Sequence, residues 1–219
     1  YAYHRDLHSF PTRRSSDLIA SDSLSFAPYT NKIILIDDYD FVKIHDGEVE
    51  IHNIQIKKEK PLNIIKLKNV YTNIEKGKYE HFMIKEIVEQ QDTIKYAIQY
   101  TNKELSNISK CMKEAHRVYV IGAGTAGFAA GQIAYYLRNI AHIDAQDVRS
   151  YEFKSYLPVL RADDLVIAVS QSGETADTIE VLETVKAKGS KIASIVNMLG
   201  TTISRMSDFP FYTNAGPEI

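Results

Sequence analysis

With 219 residues, the chain has room for one large domain or for one and a part. Hydrophobic residues make up 44% of it, enough for a real core, and a formal net charge of −2 with no basic stripe argues against a nucleic-acid partner. The longest apolar runs are strand-length, which argues against a membrane helix, and the single cysteine, Cys111, excludes an internal disulfide and fits a reducing cytoplasm.

Residues 1–18 show neither helical nor strand periodicity and no apolar stretch of a signal peptide. They resemble a translated sequencing adapter and are expected to be foreign or disordered. From Ile33 the pattern becomes β. Ile33 to Ile36 is a short apolar run, and Phe41–Ile44 and Glu48–His52 alternate apolar and polar residues around Asp46-Gly47, a hairpin signal. The charged stretch Lys57–Lys60 followed by Pro61 is expected to close this unit, giving a β-hairpin remnant over 19–60. Residues 61–112 read as interdomain linker and helices. One helix is predicted near Tyr79–Ala97, with Met83, Ile87 and Ile94 on one face, and another from a cap at Asn102 to about Ala115. Cys111 lies in that second helix with no evident His or Asp partner, and the seven histidines show no metal-ligand spacing, so no metal is expected.

From Arg117 strands and helices alternate. Strands are predicted at Arg117–Ile121, His142–Asp147, Leu165–Val169, Ile192–Val196 and Phe209–Tyr212. Between them fall a helix over Thr125–Ile140 with Phe128, Ile133, Tyr136 and Ile140 on one stripe, a short helix near Tyr151–Leu157, and a helix from about Thr175 to Gly189 that turns Ile179, Leu182 and Val185 inward. Repeated βα units imply a parallel sheet with right-handed crossovers. The expected fold is an α/β three-layer sandwich with a five-stranded parallel sheet, flavodoxin-like in order.

The stretch Ser170-Gln171-Ser172-Gly173-Glu174-Thr175 carries the most chemical information. It joins a buried-looking strand to a helix, the place where ligands bind in open parallel sheets. Free N–H groups at a helix start attract an anion, and hydroxyls add donors. The turn holds no Lys or Arg, which suits the phosphate of a small polar molecule better than a polyanion. A capped helix with a serine-rich turn is the plain alternative, although three hydroxyls and Gln171 exceed what a cap needs. A rival lies at Gly122-Ala123-Gly124-Thr125-Ala126-Gly127, a full G-x-G-x-x-G between strand and helix, with Asp144 near the place of the ribose-binding acid. That reading predicts an NAD(P)-binding domain but gives Ser170 to Thr175 no task. A phosphorylated ligand held between both turns accounts for each, with Thr125 offering a hydroxyl. Asn197 to Thr202 makes a third small, polar turn after the next strand.

These residues resemble an internal piece of the glutamine–fructose-6-phosphate aminotransferase (isomerizing) family. Ala20-Ser21-Asp22 is similar to a segment late in that family's glutaminase domain, and Tyr79 to Ile87 to its interdomain segment. Ser170 to Thr175 resembles its sugar-phosphate loop, Asn197 to Ile203 its next loop, and Thr213 to Ile219 the exit from its first sugar isomerase (SIS) domain. The resemblance implies a SIS domain over 113–219 that binds fructose 6-phosphate or glucosamine 6-phosphate through Thr125, Ser170, Gln171, Ser172 and Thr175. It implies a cytoplasmic enzyme of amino sugar biosynthesis that needs no cofactor and dimerises through its SIS domains. It also implies that the residues doing the chemistry lie outside this stretch, so no catalytic residue is named and the chain alone is expected to be inactive. Three positions depart from the pattern. Ala123 and Ala126 stand in the family's usual Cys-Gly-Thr-Ser, and Tyr151 stands where a Ser commonly precedes Glu-Phe. Another SIS protein, a phosphosugar isomerase or phosphosugar sensor, is the nearest alternative.

Overall fold

The computed structural model describes residues 18–19, 29–37, 39–45, 47–66 and 75–216, and divides the chain between Glu75 and Lys76 into two units. The Ala20-Ser21-Asp22 segment, residues 1–17, Asp46 and residues 217–219 lie outside the described residues.

In the first unit β2 (Asp40–His45) and β3 (Glu48–Asn53) form the expected hairpin. His45 faces Glu48 across a two-residue connection in which Gly47 takes φ +84, a conformation that favours glycine. Lys58–Lys60, which reads in sequence as a closing charged run, is a strand, β4, added antiparallel to β3. Its Lys60 Nζ lies 2.7 Å from Asp40 Oδ2 and 2.8 Å from Asp37 Oδ2, so charge pairing rather than apolar patterning seats this edge strand. A second pairing joins β1 (Lys32–Ile34) to β5 (Ile64–Lys66), carrying strand structure into the stretch that reads in sequence as linker.

The second unit contains a five-stranded parallel sheet. Its strands are β6 (Val118–Gly122), β7 (Ala145–Arg149), β8 (Leu165–Ser170), β9 (Lys191–Val196) and β10 (Phe209–Tyr212), in the spatial order β10-β9-β8-β6-β7. Counted within the sheet that order is 2-1-3-4-5, the flavodoxin-like arrangement. Strands β6 and β8 are buried along their whole length, as continuous apolar runs covered on both faces must be. One face packs Tyr119, Ile121, Val166 and Ala168 against Leu182, Val185 and Ile203; the other packs Val118, Val120, Leu165 and Ile167 against Ile108, Ala130 and Ala134. These are the layers of a three-layer sandwich. The first face is covered by two 3₁₀ turns (Ser150–Ser155 and Leu157–Val159), α4 (Ala176–Ala187) and α5 (Thr202–Met206). The second is covered by α2 (Asn102–Glu114) and α3 (Gly124–Asn139).

Several local expectations are corrected. Thr101, not Asn102, caps α2, because Glu104 three residues on completes a reciprocal capping box. The segment joining α1 (Phe82–Ala97) to α2 is tied to the sheet by Tyr100, whose hydroxyl donates to the Tyr212 carbonyl at 2.8 Å. The Met83, Ile87 and Ile94 face of α1 is exposed. On α3 Phe128, Tyr136 and Ile140 of the expected stripe are exposed too, while Ile133 packs half-buried against the second core face. The buried face is Gly127, Ala130 and Ala134, small residues that let helix and sheet approach closely. The second sheet strand begins at Ala145, since its register pairs Val118 with Ala145, and the residues before it turn through His142 at φ +55. Ile179, Leu182 and Val185 do turn inward on α4, and Gly189 follows its end at φ +82. Among the described residues no helix is long and apolar enough to cross a membrane, and no group of three metal-ligating side chains occurs.

Candidate functional site

The sheet order fixes where a ligand can sit. Strand connections leave in opposite directions from the adjacent β6 and β8, which opens a crevice outside their carboxyl ends. The turn from Ser170 to Thr175 lies at the end of β8, and Ala123 to Thr125 at the end of β6.

The Ser170 turn is folded around its own hydroxyls. Ser170 is the buried last residue of β8; its Oγ lies 2.9 Å from Thr175 Oγ1 and accepts the Gly173 N–H at 3.1 Å. Ser172 Oγ accepts the Glu174 N–H at 3.2 Å. Gln171 and Ser172 are exposed, Thr175 is half-buried, and Thr125 is exposed as the second residue of α3. Because Thr175 is engaged with Ser170, its side chain does not cap α4, although it occupies the N-cap. Ala123 at the N-cap of α3 has no side-chain oxygen to offer. Two full-length helices therefore start at this edge without a side-chain cap, in contrast to the doubly bonded start of α2. The unpaired N–H groups of a helix start carry partial positive charge and attract a small anion.

The turn after β9 braces this one. The Asn197 N–H donates to the Gln171 carbonyl (3.0 Å), the Ile203 N–H to the Gly173 carbonyl (3.1 Å), and the Thr202 N–H to Glu174 Oε1 (2.7 Å). Glu174 is thereby occupied in holding the start of α5. Gly173 has φ +67, and a Cβ there would stand 2.6 Å from Thr201 Cβ, so only glycine permits the contact. Asn197 Oδ1 accepts from Thr213 Oγ1 and from the Ala215 N–H, both at 2.8 Å, which fastens the segment after β10 to the same edge. Sequence marked the residues after β9 as a polar turn. It gave no sign of their bracing role, since Glu174 and Thr202 lie 28 positions apart.

The glycine motif has a packing explanation. A Cβ at Gly122 would lie 2.7 Å from the Ala126 backbone, and one at Gly127 would lie 2.9 Å from both the Gly122 carbonyl oxygen and Arg149 Cδ. Asp144 cannot hold a ribose. It immediately precedes β7 at the opposite edge of the sheet, where Arg117 Nε lies 3.5 Å from its Oδ2. The β7 residue level with Gly122 is Arg149, a cation stacked 4.6 Å above the Phe128 ring.

Residues 112–219 match the family model described as SIS domain. The chain is 35% identical over 210 residues to a glutamine–fructose-6-phosphate aminotransferase [isomerizing] from Thermotoga maritima, covering 92% of this chain and 34% of that protein. The chain resembles the C-terminal domain of glucosamine-fructose-6-phosphate aminotransferase from Francisella tularensis, with TM-score 0.60 and 27% identity over 67% of this chain and 43% of that one. Over nearly its whole length the chain is similar to one part of the glutamine–fructose-6-phosphate aminotransferases. It spans about a third of the length of the curated relatives it matches. The fold alone extends further, to the sugar isomerase domain of an RpiR transcription factor from Sphaerobacter thermophilus, with TM-score 0.51 and 20% identity over 59% of this chain and 72% of that one.

Cys111 is half-buried on α2, and burial, with Asp208 and Glu114 nearby, pushes its thiol pKa up, the opposite of an activated nucleophile. Ala126, in the first turn of α3, is half-buried and packs against the second core face.

Proposed function

We propose that the second unit is the sugar-phosphate-binding part of an enzyme converting fructose 6-phosphate and glutamine to glucosamine 6-phosphate and glutamate. The observation that carries this reading is the Ser170–Thr175 turn, a hydroxyl-lined loop beside two helix starts without side-chain caps. Such a site matches one compact dianion on a small polar molecule, which hydroxyls and N–H groups can hold without Lys or Arg. Thr125, Ser170, Gln171, Ser172 and Thr175 are the assigned binding residues. Ser170 and Thr175 exchange their mutual hydrogen bond for bonds to the phosphate, and Gln171 and Ser172 approach from the exposed side. Ala126 offers no donor, which removes about 1 kcal/mol of net hydrogen bonding relative to a serine there. The name of the relatives supplies the reaction. On this reading the chain binds the phosphosugar without turning it over. The parent enzyme works in the cytoplasm as a homodimer through SIS domains.

Calorimetric titration with fructose 6-phosphate, with NAD in parallel, tests the reading. Saturable binding of the sugar phosphate, lost in S172A, is expected. NAD binding that survives S172A, without sugar-phosphate binding, would overturn it in favour of the glycine motif.

A further inference from the structure

Thr201 Oγ1 is a buried hydroxyl without a hydrogen-bond partner among the described residues. The residue is 8% exposed, and the hydroxyl is pressed against Gly173 on the face where a side chain would begin. Buried polar groups are almost always paired, and an unpaired one carries a desolvation cost that calls for an explanation. A local partner would ordinarily be at hand. Thr201 occupies the N-cap of α5, where a threonine usually accepts an N–H two or three positions on, yet its side chain makes no such bond. The Ile203 N–H is given to the Gly173 carbonyl, and Glu174 takes the Thr202 N–H. Every other hydroxyl of the Ser170 turn is paired within the turn, Ser170 with Thr175 and Ser172 with Glu174. This unpaired donor thus touches the middle of the loop assigned to phosphate.

We propose that Thr201 is a further residue of the sugar-phosphate site, whose hydroxyl makes its hydrogen bond only in the ligand complex, to the bound phosphosugar. The inference rests on the phosphosugar reading given above. In the free protein the hydroxyl stays unsatisfied; when the phosphate draws Ser170 and Thr175 apart, the Gly173 segment shifts and Thr201 gains an acceptor. The part of binding that Thr201 supplies comes from relieving this unsatisfied group.

The test compares the full chain with T201V, which keeps the shape and removes the hydroxyl, and with T201S, which keeps the hydroxyl. Calorimetric titration with fructose 6-phosphate and a ligand-free thermal melt are measured for each. T201V is expected to bind about tenfold more weakly while melting at the same or a higher temperature, and T201S to bind within about threefold of the unsubstituted chain. Equal binding by T201V and the unsubstituted chain overturns the inference and leaves the site reading standing. Equal weakening by T201V and T201S overturns it too, because shape and not the hydroxyl would then matter. Absence of binding by the unsubstituted chain overturns the site reading itself, and this inference with it.

Discussion

Gly173 occupies a left-handed conformation with Thr201 packed where its Cβ would start. In G173A, strain at positive φ costs about 1–2 kcal/mol before any displacement of Thr201 is counted. A melting temperature lower by about 2–8 °C follows for a domain of this size, together with loss of fructose 6-phosphate binding. Unchanged melting and affinity would show that the two turns are not locked together here. Asp208 gives a second prediction. Burial alone would raise its carboxyl pKa, but hydrogen bonds from Lys191 Nζ (2.8 Å) and the Ile192 N–H (2.9 Å) outweigh it and hold the pKa below the ordinary value. A pKa depressed on folding adds stability that is present above the unfolded value and is lost as pH falls through the folded value. Between neutral pH and about pH 3, D208N should therefore lose less melting temperature than the unsubstituted chain. A parallel acid limb in the two would remove Asp208 from the account.

The helix starts divide into two kinds. Thr101 and Glu104 close the start of α2 reciprocally, whereas Thr175 turns from α4 to Ser170. T101A should cost about 1 kcal/mol and leave ligand affinity alone. T175A should cost less stability than T101A and more affinity, as paired denaturant melts and titrations would show; the reverse order would mean that Thr175 is an ordinary cap. At this scale periodicity located most elements and misjudged some faces. The inward positions of α4 were legible because large aliphatics pack them. Those of α3 were not, because close helix–sheet contact selects Gly127, Ala130 and Ala134 and leaves the aromatics outside. Strand β5 was missed because a three-residue pairing between Ile64–Lys66 and Lys32–Ile34, so far apart in sequence, leaves no local periodic mark.

Over the whole second unit, the strand order carries the functional argument. Alternating βα units made a parallel sheet legible, and the 2-1-3-4-5 order places the crevice between β6 and β8. The hydroxyl turn was legible because its chemistry is local. Its support was not: the bonds from Asn197, Thr202 and Ile203 are tertiary, and the irrelevance of Asp144 to a ribose depends on which edge of the sheet it occupies. The central claim is that a phosphosugar binds where the α3 and α4 starts meet the Ser170 turn. The most direct measurement is a map of backbone amide chemical shifts on adding fructose 6-phosphate to the full chain. The account predicts saturable shifts concentrated at Gly124–Ala126, Ser170–Asp177 and Thr201–Ile203. Saturable shifts confined to other parts of the chain, or no shifts at all, would contradict it.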